Sequence, residues 1–116
     1  MDELTNLFKV LSDETRLRIL IIMYHRELCV CQMQGILEES QPKISKHLAK
    51  LRDMGFVKDQ REEQYINYYL SDNKMLRDIL EGIIEQSGDN EKITKDLERL
   101  KEADIFKEIK IRGRKK

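Results

Sequence analysis

Apolar side chains recur along this chain with two periods, one helical and, over a short stretch, one of alternation. Leu4, Leu7, Phe8 and Leu11 fall at i, i+3, i+4 and i+7 and predict a short amphipathic helix. Ser12 is placed to cap the next helix, with Asp13 and Glu14 in a first turn where the helix dipole favours carboxylates. That second helix carries Leu17, Ile19, Leu20, Ile21, Met23 and Tyr24 and is apolar nearly all round, which predicts the buried central helix. A third short helix starts near Cys31 and turns Met33, Ile36 and Leu37 inward. Ser40 caps a fourth, Pro42 sits in its first turn, Ile44, Leu48 and Leu51 form its buried stripe, and Gly55 ends it.

The pattern then changes. Residues 56–60 and 65–70 read as two strands, the second with Ile66, Tyr68 and Leu70 alternating against Tyr65, Asn67 and Tyr69, and residues 61–64 form a polar hairpin tip. Helix returns after Asp72, where Leu76, Ile79, Leu80, Ile83 and Ile84 make one apolar stripe. Ser87-Gly88-Asp89-Asn90 breaks it, and a last charged helix carries Ile93, Leu97, Leu100, Phe106 and Ile109. Helices, a helix-turn-helix and a hairpin, in that order, predict a mainly α winged helix-turn-helix domain. Its expected extent is residues 1–86, followed by an additional charged helix over 87–111 and a basic disordered tail over 112–116. The stripe at 76–84 needs a cover, either the first helix or a second copy of the chain across a two-fold axis. The expected interface of a homodimer joined through its terminal helices is Leu4, Leu7, Phe8, Leu76, Ile79, Leu80, Ile83 and Ile84.

At 116 residues the chain fits one domain. Lys plus Arg equals Asp plus Glu at 22 each, so net charge names no partner. The distribution is more informative. Residues 41–61 hold six bases (Lys43, Lys46, Lys50, Arg52, Lys58, Arg61) against Asp53 and Asp59, whereas residues 72–109 hold 11 acids against seven bases. A concentrated basic face suits nucleic acid, and it is also what ordinary solvated lysines would give. The only cysteines, Cys29 and Cys31, are too few and too close for a secreted disulfide scaffold. No signal peptide is evident at Met1-Asp2-Glu3, and the longest apolar run, Ile19 to Met23, is too short to span a bilayer. These features predict a cytoplasmic protein without a membrane partner.

Three segments carry a family resemblance. They are Leu11 through Leu20, then Glu27-Leu28-Cys29-Val30-Cys31, then Ser40 through Leu51 with Gly55-Phe56-Val57. Over roughly residues 4–86 the chain resembles the ArsR/SmtB family of metal-sensing repressors, whose second-helix opening, thiolate box and recognition helix these segments match in order. The resemblance implies a dimeric repressor of double-stranded operator DNA, released by a soft metal or metalloid. Four features depart from the family pattern. Gln34 stands where arsenic-sensing members place a third cysteine, and residues 1–28 hold none of the N-terminal cysteines that lead- and cadmium-sensing members add. Residues 72–111 lack the His of zinc-sensing members, and the wing tip has Glu63-Gln64 where a Gly and a base are usual.

Two thiolates separated by one residue can both bind a soft cation, and a helix N-terminus beside them lowers their pKa values. Zinc wants four ligands, which the neighbourhood does not offer. Trivalent arsenic or antimony takes three sulfurs, so two protein thiolates and a small-molecule thiol would serve, as they would for cadmium or lead. Buried small residues are the plainer reading of the pair. On the fourth helix Lys43, Lys46, His47 and Lys50 lie opposite the buried stripe and suit phosphates, while Gln41 and Ser45 near its start suit base edges. Arg61 suits the DNA backbone. The tyrosines of the second strand suit wing packing better than base stacking. The sequence offers no nucleophile–base pair or phosphate loop, so no enzyme is expected. Two other readings remain: a repressor whose cysteines sense oxidants or reactive sulfur species, and a protein-interaction module that never meets DNA.

Overall fold

A computed structural model describes residues 2–114, with side chains through residue 108. Helix α1 spans Asp2–Leu11 and α2 spans Glu14–His25. The two-residue strand β1 (Leu28–Cys29) leads directly into α3 (Val30–Leu37), and α4 follows at Gln41–Asp53. The hairpin is β2 (Val57–Glu62) and β3 (Tyr65–Leu70), and helices α5 (Lys74–Gln86), α6 (Glu91–Leu100) and α7 (Ala103–Arg114) complete the described chain.

The core forms where the sequence pattern places it. Ile19 through Met23 of α2 are all buried, against Met33, Ile36 and Leu37 of α3 and Ile44, Leu48 and Leu51 of α4. Ser40 accepts from the Lys43 N–H at the start of α4, and Gly55, at φ +84°, takes the left-handed conformation that lets the chain turn into β2. The cap of α2 is Asp13 and not Ser12. Asp13 Oδ1 accepts from the Arg16 N–H at 3.0 Å, while the Ser12 hydroxyl donates back to the Lys9 carbonyl. That backbone hydrogen bond also lowers the Asp13 pKa.

The sheet has the order β1-β3-β2, antiparallel throughout. The hairpin strands run longer than expected. Arg61 and Glu62 pair with Ile66 and Tyr65, which leaves Glu63-Gln64 as the turn. The alternation in β3 does not map cleanly onto burial. Ile66 is 42% exposed, beyond the reach of the core, whereas Asn67 is buried between two strands, donating to Glu62 Oε2 at 2.8 Å.

Three further expectations are corrected. The charged region after residue 90 is two helices, with a turn at Lys101-Glu102 where the chain folds back over α3. It joins the same core, since Ile93, Asp96 and Ala103 are buried. The first three residues of the expected tail, 112–114, are helical, and Lys115 and Lys116 lie outside the described residues. Finally, Leu7, Leu76 and Leu80 of the expected interface are enclosed in the protomer's own core, because α5 packs on α2. Phe8 remains 56% exposed, and Leu4, Ile79, Ile83 and Ile84 are half-buried. Among the described residues no helix is long and apolar enough to cross a membrane.

Candidate functional site

Cys29 is at once the last residue of β1 and the N-cap of α3. Its backbone pairs with Asn67 of β3, which pins the first sulfur to the hairpin. Gln32, three residues on, closes a capping box, its Oε1 accepting from the Cys29 N–H at 3.0 Å. Cys31, one residue into α3, is half-buried, and the two free sulfurs lie 2.8 Å apart.

This contact sets the protonation of the pair. The Cys31 thiol donates to Cys29, and with help from the Gln32 backbone N–H and the Lys107 charge it draws the Cys29 pKa down to about 6 against the opposing effect of burial. Cys31 is pushed up, first by holding that hydrogen bond and then by burial and its neighbour's charge. The two sulfurs titrate as a unit that gives up one proton readily and holds the second. Near neutral pH the pair is a thiolate hydrogen-bonded to a thiol.

Cys29 and Cys31 are among the residues lining a cleft of about 310 Å³. Its walls include Gln34 of α3, Gln41 and Ser45 of α4, and Gln64 through Ile66 at the hairpin turn. The residue at the expected third-sulfur position therefore faces the same space. So do two of the residues expected to read bases, whose side chains hydrogen-bond each other, Gln41 Nε2 to Ser45 Oγ at 2.8 Å. Among the described residues no group of three or more His, Cys, Asp and Glu converges. The donor set is two sulfurs, which suits a soft ion completed from outside and not a four-ligand zinc site.

On the outer face of α4, Lys43, Lys46 and Lys50 are exposed, Lys43 sharing Glu39 at 3.1 Å. His47 is turned toward the start of α2. It lies 4.0 Å from Asp13 with 13% of its side chain exposed, and burial lowers its pKa against the opposing pull of the Asp13 carboxylate. Arg61 is exposed on β2, one residue pair before the end of the hairpin.

The sequence reading missed the role of the C-terminal helices in enclosing this site. Gln32 Nε2 donates to the Ala103 carbonyl at 3.2 Å, so the residue that caps the Cys29 turn also holds α7. Gly35 of α3 lies directly beneath the Phe106 ring of α7. Further back, Arg18 of α2 forms a buried two-pronged pair with Asp96 of α6, both contacts at 2.8 Å, and donates to the Leu37 carbonyl. One signal was legible: Cys29 and Gln32 have capping-box spacing.

Comparison with known proteins agrees with this geometry. The family model described as "Bacterial regulatory protein, arsR family" matches residues 13–59, from the α2 cap through α4 into β2. The chain is 48% identical over 66 residues to the arsenical resistance operon repressor of Escherichia coli, covering 56% of each chain. It is 32% identical over 85 residues to a homolog of the cadmium resistance transcriptional regulatory protein CadC of Staphylococcus aureus, covering 72% of this chain and 70% of that protein. The solved structure of HlyU from Vibrio cholerae superimposes with a TM-score of 0.67 at 34% identity, covering 71% of this chain and 88% of that one. The match spans about half the length of the first curated relatives, all arsenic resistance regulators. On this match and the shared winged-helix architecture, the chain belongs to the ArsR family of bacterial regulatory proteins.

Proposed function

We propose that this protein is a homodimeric transcriptional repressor of double-stranded operator DNA, released when a soft metal or metalloid ion binds at Cys29 and Cys31. Trivalent arsenic or antimony fits best, with cadmium or lead as further candidates. The observation that carries the reading is the shared cleft: Cys29, Cys31, Gln41 and Ser45 line one space. Anything that enters it to reach the sulfurs also meets the start of the reading helix.

The chain's own residues supply the coupling. α4 presents Gln41 and Ser45 to base edges in the major groove, with Lys43, Lys46 and Lys50 beside the phosphates. Arg61 of the wing approaches the backbone. In the resting state the proton between the sulfurs keeps the pair compact, and the Gln41–Ser45 hydrogen bond is part of the same wall. A soft ion supplies a Lewis acid that prefers thiolate sulfur to the Gln34 amide. Cys29 and Cys31 would hold such an ion as thiolates, with the shared proton released to water and the hydrogen-bonded sulfur contact given up. Cys29 is fixed to β3 and Cys31 to the first turn of α3, so a change in their separation tilts α3 against the wing, and α4 with it. The dimer, formed through the exposed Phe8 and the half-buried Ile79, Ile83 and Ile84, holds two reading helices about one helical turn of DNA apart.

A second reading has its own support in the 2.8 Å sulfur contact and the readily ionised Cys29, which suit a thiol that oxidants or reactive sulfur attack. One experiment separates the two. Fluorescence anisotropy of the duplex upstream of the gene is followed with the reduced protein while arsenite, antimonite, cadmium, lead or a mild oxidant is added. Release by the ions supports the metalloid reading. Release by the oxidant alone replaces it, and absence of duplex binding by the folded protein refutes the repressor.

A further inference from the structure

Gln32 is polar and only 1% exposed, so both ends of its amide need partners inside the protein. It finds them on two different elements. Oε1 accepts from the Cys29 N–H at 3.0 Å, across the first turn of α3. Nε2 donates to the Ala103 carbonyl at 3.2 Å, with the Asp104 carboxylate 3.4 Å away. One planar amide therefore joins the residue that carries the first sulfur to the start of α7. Both principal bonds are near the usual N···O length, so neither end can move far without the other losing its partner.

α7 holds the surrounding elements at two more points. The Phe106 ring lies on Gly35 of α3. The Lys107 carbonyl accepts from the Tyr65 hydroxyl of β3 at 3.5 Å, and the Lys107 ammonium lies 4.7 Å from the centre of that ring. Cys31 belongs to α3 and Cys29 is paired to β3, so α7 lies across the two elements that carry the two sulfurs. We propose that α7 is a clamp on the thiol pair and that Gln32 is the positioning residue linking them. While α7 is docked, Gln32 holds the Cys29 turn in its hydrogen-bonded form, and the clamp opposes the parting of the sulfurs that occupancy demands. The inference rests on the metalloid reading of the pair. Its consequence is a coupling of negative sign: docking of α7 and occupancy of the sulfurs each weaken the other, by the same factor.

The test uses the reduced full chain with arsenite as the probe. Hydrogen exchange of residues 103–108 is measured with and without arsenite, and arsenite affinity is read from the loss of free thiols. Three proteins are compared: the wild type, Phe106→Ala, and a double variant carrying Gln32→Glu and Phe106→Ala. Glutamate keeps an acceptor for the Cys29 N–H but gives up the donor to Ala103 and sets a carboxylate against Asp104. In the wild type arsenite should speed exchange of residues 103–108 by about 5-fold or more. In the double variant exchange should be fast with or without arsenite, and arsenite should bind more tightly by the factor seen in the wild-type exchange. Phe106→Ala alone should fall between the two. A purely structural role for Gln32 would leave arsenite affinity unchanged or lower it. Thiols occupied with no change in exchange, or variants that bind arsenite no more tightly, overturn the inference and leave the metalloid reading standing. A folded wild type whose thiols stay free in excess arsenite overturns both.

Discussion

Replacing Gly35 by alanine sets two effects of opposite sign against each other. In an exposed helix interior, glycine to alanine stabilises by about 1 kcal/mol, because the glycine backbone loses more freedom on folding. Gly35 lies in the middle of α3, so that gain applies. A Cβ at this position would overlap Cγ, Cδ1 and Cε1 of Phe106. Spinning the ring about χ2 leaves Cγ in place, so relief needs either a different χ1 rotamer for a side chain packed on α3 or a lift of α7. Overpacking of this kind costs about 1–3 kcal/mol, and contact with the root of a ring belongs in the upper half of that range. The net expectation is a loss of about 1–2 kcal/mol, or a fall in Tm of roughly 4–8 °C for a domain of this size. In a Phe106→Ala background the obstacle is gone, and the same substitution should stabilise by up to about 1 kcal/mol. Urea unfolding of the four proteins in this cycle measures both signs. If Gly35→Ala stabilises the wild type, or destabilises both backgrounds equally, Phe106 does not rest on Gly35 and α7 does not cover the thiol helix as described.

Asp96→Ala should cost up to about 3–5 kcal/mol in the same unfolding assay, because Arg18, whose side chain is only 5% exposed, loses its two-pronged partner and, among carboxylates, keeps only the longer 3.5 Å contact to Glu39; a loss below about 1 kcal/mol would mean that α6 is not docked. Lys46→Ala should weaken binding to every duplex and flatten the salt dependence, while Gln41→Ala should reduce discrimination at one base position by about 1–3 kcal/mol; if neither changes affinity, α4 is not the reading helix. Ile83→Asp should give monomers in sedimentation and lose tight operator binding, since it places a carboxylate on the half-buried outer face of α5; an intact dimer would move the interface elsewhere.

The parts of this molecule that follow local rules were legible in its sequence. α4 was complete on the page: a Ser40 cap, Pro42 in the first turn, an Ile44–Leu48–Leu51 stripe and a Gly55 stop all act within one helix. The parts settled by distant contacts were not. β1 is two residues long and exists because Cys29 finds Asn67, which no periodicity announces. Ser12 and Asp13 are both good caps, and the choice fell to Asp13 because the Ser12 hydroxyl already serves the end of α1. The break between α6 and α7 carries no Gly or Pro, and it becomes explicable only once Ala103 is seen buried with its carbonyl on Gln32. The thiol pair was visible as two residues, but its cleft was not, because Gln64 to Ile66 reach it from the far side of the hairpin.

The claim at the centre of this account is that occupancy of the Cys29–Cys31 pair lowers affinity for DNA. One titration addresses it most directly. Arsenite is added to the reduced protein on its labelled operator duplex, with release and the number of free thiols read from the same samples, for the wild type and for Cys31→Ser. The account predicts that the wild type leaves the duplex as its two thiols are consumed by one arsenic per protomer, and that Cys31→Ser binds the duplex as tightly but is not released. Thiols consumed while the duplex stays bound, or release of Cys31→Ser at the wild-type concentration, would contradict it.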